Sequence, residues 1–229
     1  LLRRYGVEID HRWVIADPDH LGNTSLHVCV MNSRPDSMRL LLAVPDTDPN
    51  IGGLGGYSPA AMACDRNEDE CLRILLEAGI DVNEQDSAGW TLLHHAAVGR
   101  CQEAMAVLLE REKPGTKDPI VVDLENDSGQ SPLMLACINN DVVTIRRLIL
   151  AGADPYRLHW ETQTTAIGMC ASNEARRVSD EALVARQEIL AEREKELEVT
   201  RERAAFTESL KAGNLNKSMS GSDDENDND

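Results

Sequence analysis

A short pattern of residues recurs along this chain with a period of about 33 residues. Each copy begins with a hydroxyl residue that precedes an apolar stretch, and these residues lie 34, 33, 40 and 33 positions apart: Thr24, Ser58, Thr91, Ser131 and Thr164. Repeats of about 20–50 residues fold as stacked units, each of which buries its apolar surface against its neighbours. The period therefore favours an array of small units over a single globular core.

The segment from Glu84 to Glu110 shows what one unit contains. Gly89 lies in a polar turn and can adopt a positive φ, and Thr91 can cap the helix that follows. Two apolar stripes with helical spacing come next, separated by Gly99. They comprise Leu93, Ala96 and Ala97 in the first helix, and Cys101, Met105, Leu108 and Leu109 in the second. Two short helices cannot bury both stripes against each other, so the unit needs neighbours.

This unit resembles the ankyrin repeat. Five openings are similar to the family's TPLHxA motif: TSLHVC (24–29), SPAAMA (58–63), TLLHHA (91–96), SPLMLA (131–136) and TTAIGM (164–169). The closings LLEAGIDVN (75–83) and LILAGADPY (148–156) are similar to the family's LLxxGADVN. The resemblance covers about residues 19–178 and implies an all-α solenoid of helix-turn-helix units.

The first repeats carry a second, narrower resemblance. The stretch IADPDHLGNTSLHVCV (15–30), followed by GGYSP, is similar to the ankyrin domains of the KN-motif family of cytoskeletal adaptors. This similarity ends near residue 60. It places a cytoskeletal structural part among the candidate functions.

Composition divides the chain into four regions. Residues 1–18 begin with LLRRYGVEID, which aligns with the closing of a repeat, so we expect the end of an upstream repeat and a connection there. Residues 19–178 hold the repeats, at about 19–50, 51–83, 84–123, 124–156 and 157–178. We predict a charged helix over 179–212 and, because 213–229 is acidic and almost without apolar residues, a disordered tail there.

An insertion lengthens the third repeat by seven residues. The segment 110–122 contains Pro114, Gly115 and Pro119, so we predict a surface loop. Insertions in repeat arrays often lie on a binding face. The loop is either a specificity element for a partner or the result of sequence drift that the fold tolerates.

The chain is strongly acidic. It contains 40 acidic and 23 basic residues, for a formal net charge of −17 and a pI near 4.7. Nucleic-acid backbones and anionic membrane surfaces would be repelled by such a chain, so we expect neither as a partner. The expected partner is another protein with a basic surface. No stretch of sequence approaches the roughly 18 consecutive apolar residues of a transmembrane helix.

Six cysteines occur, at positions 29, 64, 71, 101, 137 and 170, without a CxxC motif or a spacing suited to zinc. Four of them coincide with small-residue positions of the repeat, so we interpret them as packing residues. Several unpaired buried thiols are typical of a reducing compartment. We therefore expect the protein in the cytoplasm or the nucleus.

Two other motifs invite a chemical interpretation. The glycine-rich segment 52–56 precedes a helix but lacks the lysine and the spacing of a phosphate-binding loop, so we interpret it as a loop tip. His94 and His95 have no third metal ligand at a useful spacing. The ankyrin resemblance implies that His94 hydrogen-bonds near the capping hydroxyl and ties loops together. We predict no enzyme activity, no cofactor and no metal site.

The loops between repeats are called fingers below. Their aromatic and acidic residues are the candidate partner-binding residues. Tyr57 and Trp90 occupy the same position in consecutive repeats, so we expect them side by side, about 10 Å apart. Exposed aromatic residues near charge are typical interface hot spots. The alternative is that the rings cover neighbouring loops and the acids are solvated. The predicted set is Tyr57, Glu84, Asp86, Trp90, Glu125, Asp127, Tyr156 and Trp160.

The charged region after the repeats has one apolar residue in each heptad: Leu183, Leu190, Leu197 and Ala204. The second core position of the heptad is charged or polar, as at Arg186 and Arg193. This pattern predicts either a solvated helix or weak self-association through residues 183–204.

These features together predict a non-catalytic protein–protein interaction module, an adaptor or scaffold. It would bind a basic or partly apolar segment of a partner through its fingers and the concave face of its helices. Two alternatives stay open. The array can be the regulatory arm of a larger enzyme or channel, since ankyrin arrays are appended to many proteins, or a cytoskeletal structural component.

Overall fold

The computed structural model describes residues 19, 22–45, 47–110 and 119–219, with side chains up to residue 201. In this part of the chain the regular structure is helical and contains no strand, which confirms the predicted all-α class. The helices are α1 Ser25–Met31, α2 Pro35–Leu42, α3 Pro59–Arg66, α4 Asp69–Glu77, α5 Leu92–Gly99, α6 Gln102–Leu109, α7 Pro132–Ile138, α8 Val142–Leu150, α9 Ala166–Met169 and α10 Asn173–Met219.

The helices pair along the chain and stack in two rows. Within repeats one to four, each first helix packs on the second helix that follows it, as α5 does on α6. The first helices also pack on one another in the order α1, α3, α5, α7 and α9, and the second helices in the order α2, α4, α6 and α8. Each repeat therefore buries its apolar stripes against the next repeat as well as within itself.

Repeat three has the predicted stripes. Leu93, Ala96 and Ala97 are buried in α5, and Met105 and Leu108 are fully buried in α6. The sequence places a break at Gly99, but that residue still belongs to α5, and Arg100 takes the left-handed conformation with φ 53°. A Cβ at Gly99 would lie 2.8 Å from the sulfur of Cys101. Glycine at this position therefore leaves room for Cys101 and for the backbone at Asp65, and it does not form the turn itself.

Hydroxyl residues cap the first helices as the period predicts. Ser58 Oγ accepts the N–H of Ala61 at 3.2 Å, and Ser131 Oγ accepts that of Met134 at 3.3 Å. Capping of this kind satisfies amide groups that have no partner within the helix.

The predicted fifth anchor, Thr164, is wrong by one residue. Thr165 caps α9 by accepting the N–H of Gly168 at 3.1 Å, whereas Thr164 donates to the hydroxyl of Thr162 at 2.5 Å. The cause is an extra residue in the preceding loop, where Gln163 takes a positive φ of 53°.

Two histidines join consecutive repeats. His94 Nδ1 accepts the backbone N–H of Thr91 at 3.1 Å, and its Nε2 lies 2.9 Å from the backbone oxygen of Gln130 in the next repeat. His27 makes the same pair of contacts, with Thr24 and with the oxygen of Tyr57. The role predicted for His94 is therefore confirmed, and Nδ1 as acceptor fixes the neutral ring with its proton on Nε2.

The core is aliphatic, with small residues where helices approach closely. All six cysteines are buried and free, and Cys64, Cys71, Cys137 and Cys170 have no exposed surface. Their interpretation as packing residues is confirmed. In the part of the chain that the structure describes, no helix combines the length and apolar character needed to cross a membrane.

The last repeat uses the beginning of α10 as its second helix. Ala175, Ser179 and Ala182 are buried there, and Glu181, which the sequence alignment places at an inward position, is exposed. The helix continues through Met219. From Val184 onward the described residues belong to a separate unit, in which Leu190 and Leu197 are 46% and 58% exposed. Self-association and the domain limits stay predictions. Of the predicted tail, 213–229, residues 213–219 belong to α10 and the rest lie outside the described residues.

Replacement of Leu108 by alanine tests the stacked core. The side chain is fully buried in α6, which packs on both α4 and α8, so its loss should leave a cavity and cost about 2–5 kcal/mol of unfolding free energy. Urea denaturation followed by circular dichroism measures the change. Leu40, which is 73% exposed in α2, supplies the control, and Leu40→Ala should change the value by less than about 0.5 kcal/mol. Equal effects of the two changes would contradict the stacked core.

The joining histidines predict acid sensitivity. Burial lowers the pKa of His27 and of His94 from 6.5, against the opposing effect of the backbone oxygen that each ring faces. A pKa lowered by folding means that stability is complete above about pH 6.5 and decreases as the pH falls through the folded value. The unfolding free energy should be lower at about pH 5.5 than at about pH 7.5. Most carboxyl groups titrate below this range, so they contribute little to the difference. The His27→Asn/His94→Asn variant should be less stable, with a flatter pH dependence.

Candidate protein-interaction surface

Four side chains lie at one equivalent position on the first helices and reach solvent. Met31, Asp65, Val98 and Ile138, here called the helix-face row, each follow the capping hydroxyl by seven residues. The three apolar members are 42%, 41% and 47% exposed, although the same helices bury most of their other side chains. Because the first helices stack side by side, equivalent positions form a continuous row. The row is largely apolar, with one carboxylate in it.

The fingers that accompany this row are acidic. Asp48, Asp81 and Asp154 each stand at the start of a finger and accept the N–H of the residue two positions on, with distances of 2.9 Å in all three cases. Burial, followed by the charges of Asp81 and Asp48, raises the pKa of Glu84. Carboxylates are therefore close enough to repel one another here, and a cation placed among them would relieve this repulsion.

His95 connects the helix-face row to the third finger. Its Nδ1 lies 3.1 Å from a carboxylate oxygen of Asp65, and its Nε2 lies 3.3 Å from one of Asp86. The His95 side chain is only 8% exposed. The 3.3 Å approach to Asp86 is not a hydrogen bond. The ring is thus bonded to Asp65 and lies close to Asp86.

Tyr57 and Trp90 flank the same histidine. The centroid of each ring lies close to that of His95, at 5.4 Å for Tyr57 and 5.3 Å for Trp90. Both aromatic residues are half-buried, and the Tyr57 hydroxyl donates to Asp65 at 2.6 Å. The structure places the two rings on neighbouring fingers, as the sequence suggests. Both rings also pack against His95, which belongs to helix α5, and their part in binding a partner stays a prediction.

Tyr156 and Trp160 are much more open, with 63% and 62% of their surface exposed. One face of the Trp160 indole covers Gly129 in the preceding finger, where a Cβ would lie 2.0 Å from the ring. Gly129 also has a positive φ of 72°. Trp160 is therefore held against the backbone, while more than half of its surface stays exposed.

The predicted acidic residues differ in what they contact. Asp86 Oδ1 accepts the N–H of Ala88 and of Trp90 and so shapes the third finger. Glu125 accepts Arg157 Nε at 2.5 Å, in the next finger. Glu84 and Asp127 are exposed. The structure does not gather all eight predicted residues at one point but distributes them over consecutive fingers.

Sequence reasoning missed the apolar members of the helix-face row and the half-exposed Leu158 between Tyr156 and Trp160. A signal was present for the row, because Met31, Val98 and Ile138 share one offset from their caps. The glycine-rich tip contacts its neighbour finger, since Gly55 O accepts the N–H of Ser87 at 2.9 Å. Among the described residues, no group of histidine, cysteine and carboxylate side chains is arranged to hold a metal ion.

The contact between Tyr57 and Asp65 leads to a stability prediction. Removing the hydroxyl in Tyr57→Phe breaks the 2.6 Å hydrogen bond while keeping the ring against His95, and should cost about 1 kcal/mol of unfolding free energy. Burial and this hydrogen bond raise the pKa of Tyr57, so alkaline titration by ultraviolet absorbance reports the same contact. In Asp65→Asn, the tyrosine should titrate at a lower pH than in the parent chain. An unchanged titration would show that Asp65 is not the acceptor in solution.

Comparison with protein-family models identifies two matched stretches. A model described as three copies of ankyrin repeats matches residues 26–118, and a single ankyrin repeat model matches residues 128–159. Together they account for more than half of the 229 residues.

Several curated proteins are similar over the same region. The chain is 34% identical to the B-cell lymphoma 3 protein homolog of Mus musculus over 140 residues, which are 59% of this chain and 30% of that protein. It is 30% identical to transient receptor potential cation channel subfamily A member 1 of Homo sapiens over 129 residues, 56% of this chain and 12% of the channel. The nuclear factor NF-kappa-B p105 subunit of Gallus gallus is 27% identical over 182 residues, 74% of this chain and 18% of that protein.

The chain thus spans less than a third of the length of each of these relatives. The stretches matched by the family models coincide with the capped helix pairs and their fingers. This chain belongs to the ankyrin repeat family.

Proposed function

We propose that this protein is a non-catalytic protein–protein interaction module, an adaptor or scaffold, that binds a basic and partly apolar segment of a partner. The segment lies along the helix-face row and is flanked by the fingers. The proposal includes a location in the cytoplasm or the nucleus, because six free buried thiols suit a reducing compartment.

The observation that carries the proposal is the exposure of Met31, Val98 and Ile138 at one equivalent position. Apolar side chains on the surface of a stacked array contribute nothing to its core, and burying them against a partner is favourable. Aliphatic side chains of a partner would fill the spaces between neighbouring helices.

Charge supports a basic partner. Asp65 interrupts the row, and Asp48, Asp81 and Glu84 lie in the adjacent fingers. The chain as a whole carries a formal charge of −17. A lysine or arginine of the partner gains attraction from these acids, and the same field accelerates the encounter of the two proteins.

The similar proteins support an interaction module and also suggest a second function. The relatives include a channel, of which the matched region is 12%. A repeat array of this kind can therefore be a regulatory arm of a larger membrane protein. In that case the same surface would bind another part of the same assembly, and the chemistry of the contact would be unchanged.

The proposal is tested by introducing two arginines into the helix-face row. Peptides are first selected on the chain from a random library displayed on phage at low ionic strength, and their affinities are measured by fluorescence anisotropy. The Val98→Arg/Ile138→Arg variant should bind the selected peptides at least about tenfold more weakly, because both charge and bulk then oppose a basic segment. Raising the salt concentration should weaken binding to the parent chain.

The matched control is Val143→Arg. Val143 is 45% exposed, like the members of the row, but it belongs to the second helix α8. This variant should retain the parent affinity. Selected peptides that lack basic residues, or that bind the row variant and the control equally, would contradict the proposal.

A further inference from the structure

The fifth finger, residues 154–164, exposes three large apolar side chains. Tyr156, Leu158 and Trp160, here called the end strip, are 63%, 51% and 62% exposed. Leu158 forms an isolated antiparallel bridge with Thr165, and the side chain of His159 between Leu158 and Trp160 is buried. Exposed and buried residues alternate from Leu158 to Trp160, as in an extended segment, whereas Tyr156 lies in a turn and Arg157 is exposed.

In the earlier fingers, a side-chain oxygen accepts a backbone N–H of the next finger. Asn50 Oδ1 accepts the backbone N–H of Asp81 at 3.1 Å, and Asn83 Oδ1 accepts that of Val121 at 2.7 Å. Asp123 Oδ2 accepts the N–H of Asp154 at 3.0 Å. Each acceptor therefore belongs to one finger and its donor to the next.

Tyr156 stands where the fifth finger would carry this acceptor. Like Asn50 and Asn83, it follows the first aspartate of its finger by two residues and donates its N–H to that carboxylate. Its side chain is a largely exposed phenol ring instead of an amide or carboxylate. The series of finger-to-finger bonds stops here, and an aromatic surface takes its place.

The strip is rigid. Trp160 rests on Gly129, and His159 Nε2 bonds to the backbone oxygen of Ser128 at 2.9 Å. His159 Nδ1 also accepts the N–H groups of Glu161 and Thr162. A side chain that is already fixed loses little conformational entropy when a partner covers it. Tryptophan and tyrosine held in this way have the properties of interface hot spots.

The charges around the strip favour a cationic occupant. Arg157 is the one lysine or arginine in residues 154–165, and it is paired with Glu125 at 2.5 Å. Asp154, Glu161 and Asp127 are exposed beside or within the fourth and fifth fingers. A lysine or arginine next to an apolar side chain would satisfy both features, with a cation–π contribution from the exposed indole of Trp160.

We propose that the end strip binds an extended segment of a partner protein, which takes the place of a sixth finger and places an apolar side chain on Leu158 and Trp160. Lysine or arginine side chains of the segment face Asp154 and Glu161. This inference rests on the proposed function and adds a defined anchoring point to it.

The phage-selected peptides, with anisotropy as the readout, test the anchoring point. Trp160→Ala and Leu158→Ser should each weaken the selected peptides at least about tenfold. Val121→Ser is the matched control, because Val121 is 46% exposed in the fourth finger and should leave affinity unchanged. Circular dichroism melting of each variant shows whether the fold is retained, and Leu158→Ser keeps the test valid if loss of the indole destabilises the finger.

The possible outcomes distinguish failure of the anchoring point from failure of the proposed function. Peptides that lose affinity for the Val98→Arg/Ile138→Arg variant but not for the strip variants would overturn the anchoring point and leave the proposed function standing. A library that yields no peptide would overturn both. A chain that dimerises in sedimentation equilibrium, and becomes monomeric on Trp160→Ala, would show that a second copy occupies the strip, which would overturn the partner segment.

Discussion

The structure depends on burial that each helix pair obtains only from its neighbours. Leu93 and Leu108 have almost no exposed surface because α5 packs against α3 and α7, and α6 against α4 and α8. Polar contacts add order to this packing. His27 and His94 each join the cap of one repeat to a backbone oxygen of the next, so the starts of α3 and α7 are each tied to the repeat before them.

The same dependence produces the candidate surface. Since the interior is filled by residues facing adjacent repeats, the remaining side of the first helices and the fingers is where equivalent side chains can meet a ligand. Val98 and Ile138 lie on that side at the same offset from their caps. His95 bonds to Asp65 and lies close to Asp86, so apolar and acidic groups occupy one surface without contributing to the core.

Most of the fold could be predicted from the sequence because the period, the caps and the stripes are local signals. Thr91, Leu93 and Leu108 have the roles that their spacing indicates. Local signals also misplace details. Thr164 and Thr165 are both competent caps, and the choice between them depends on the length of the preceding loop, which folds around His159.

The exposure of the aromatic residues could not be predicted in the same way. Tyr57 and Trp160 both belong to fingers, yet Tyr57 is half-buried beside His95, and Trp160 covers a glycine while most of its surface stays exposed. Which outcome occurs is decided by residues one repeat away, at positions 95 and 129. Sequence spacing identifies fingers, whereas the neighbouring repeat determines what each finger side chain contacts.

The amide of Asn83 has a consequence for the insertion in repeat three. Its nitrogen donates to Pro119 O at 2.9 Å and its oxygen accepts Val121 N at 2.7 Å, just where the chain re-enters the array after the inserted segment. One side chain thus binds the chain at the point where it returns to the array. Because this contact involves none of residues 111–118, we infer that this segment can change in length while the later helices keep their alignment.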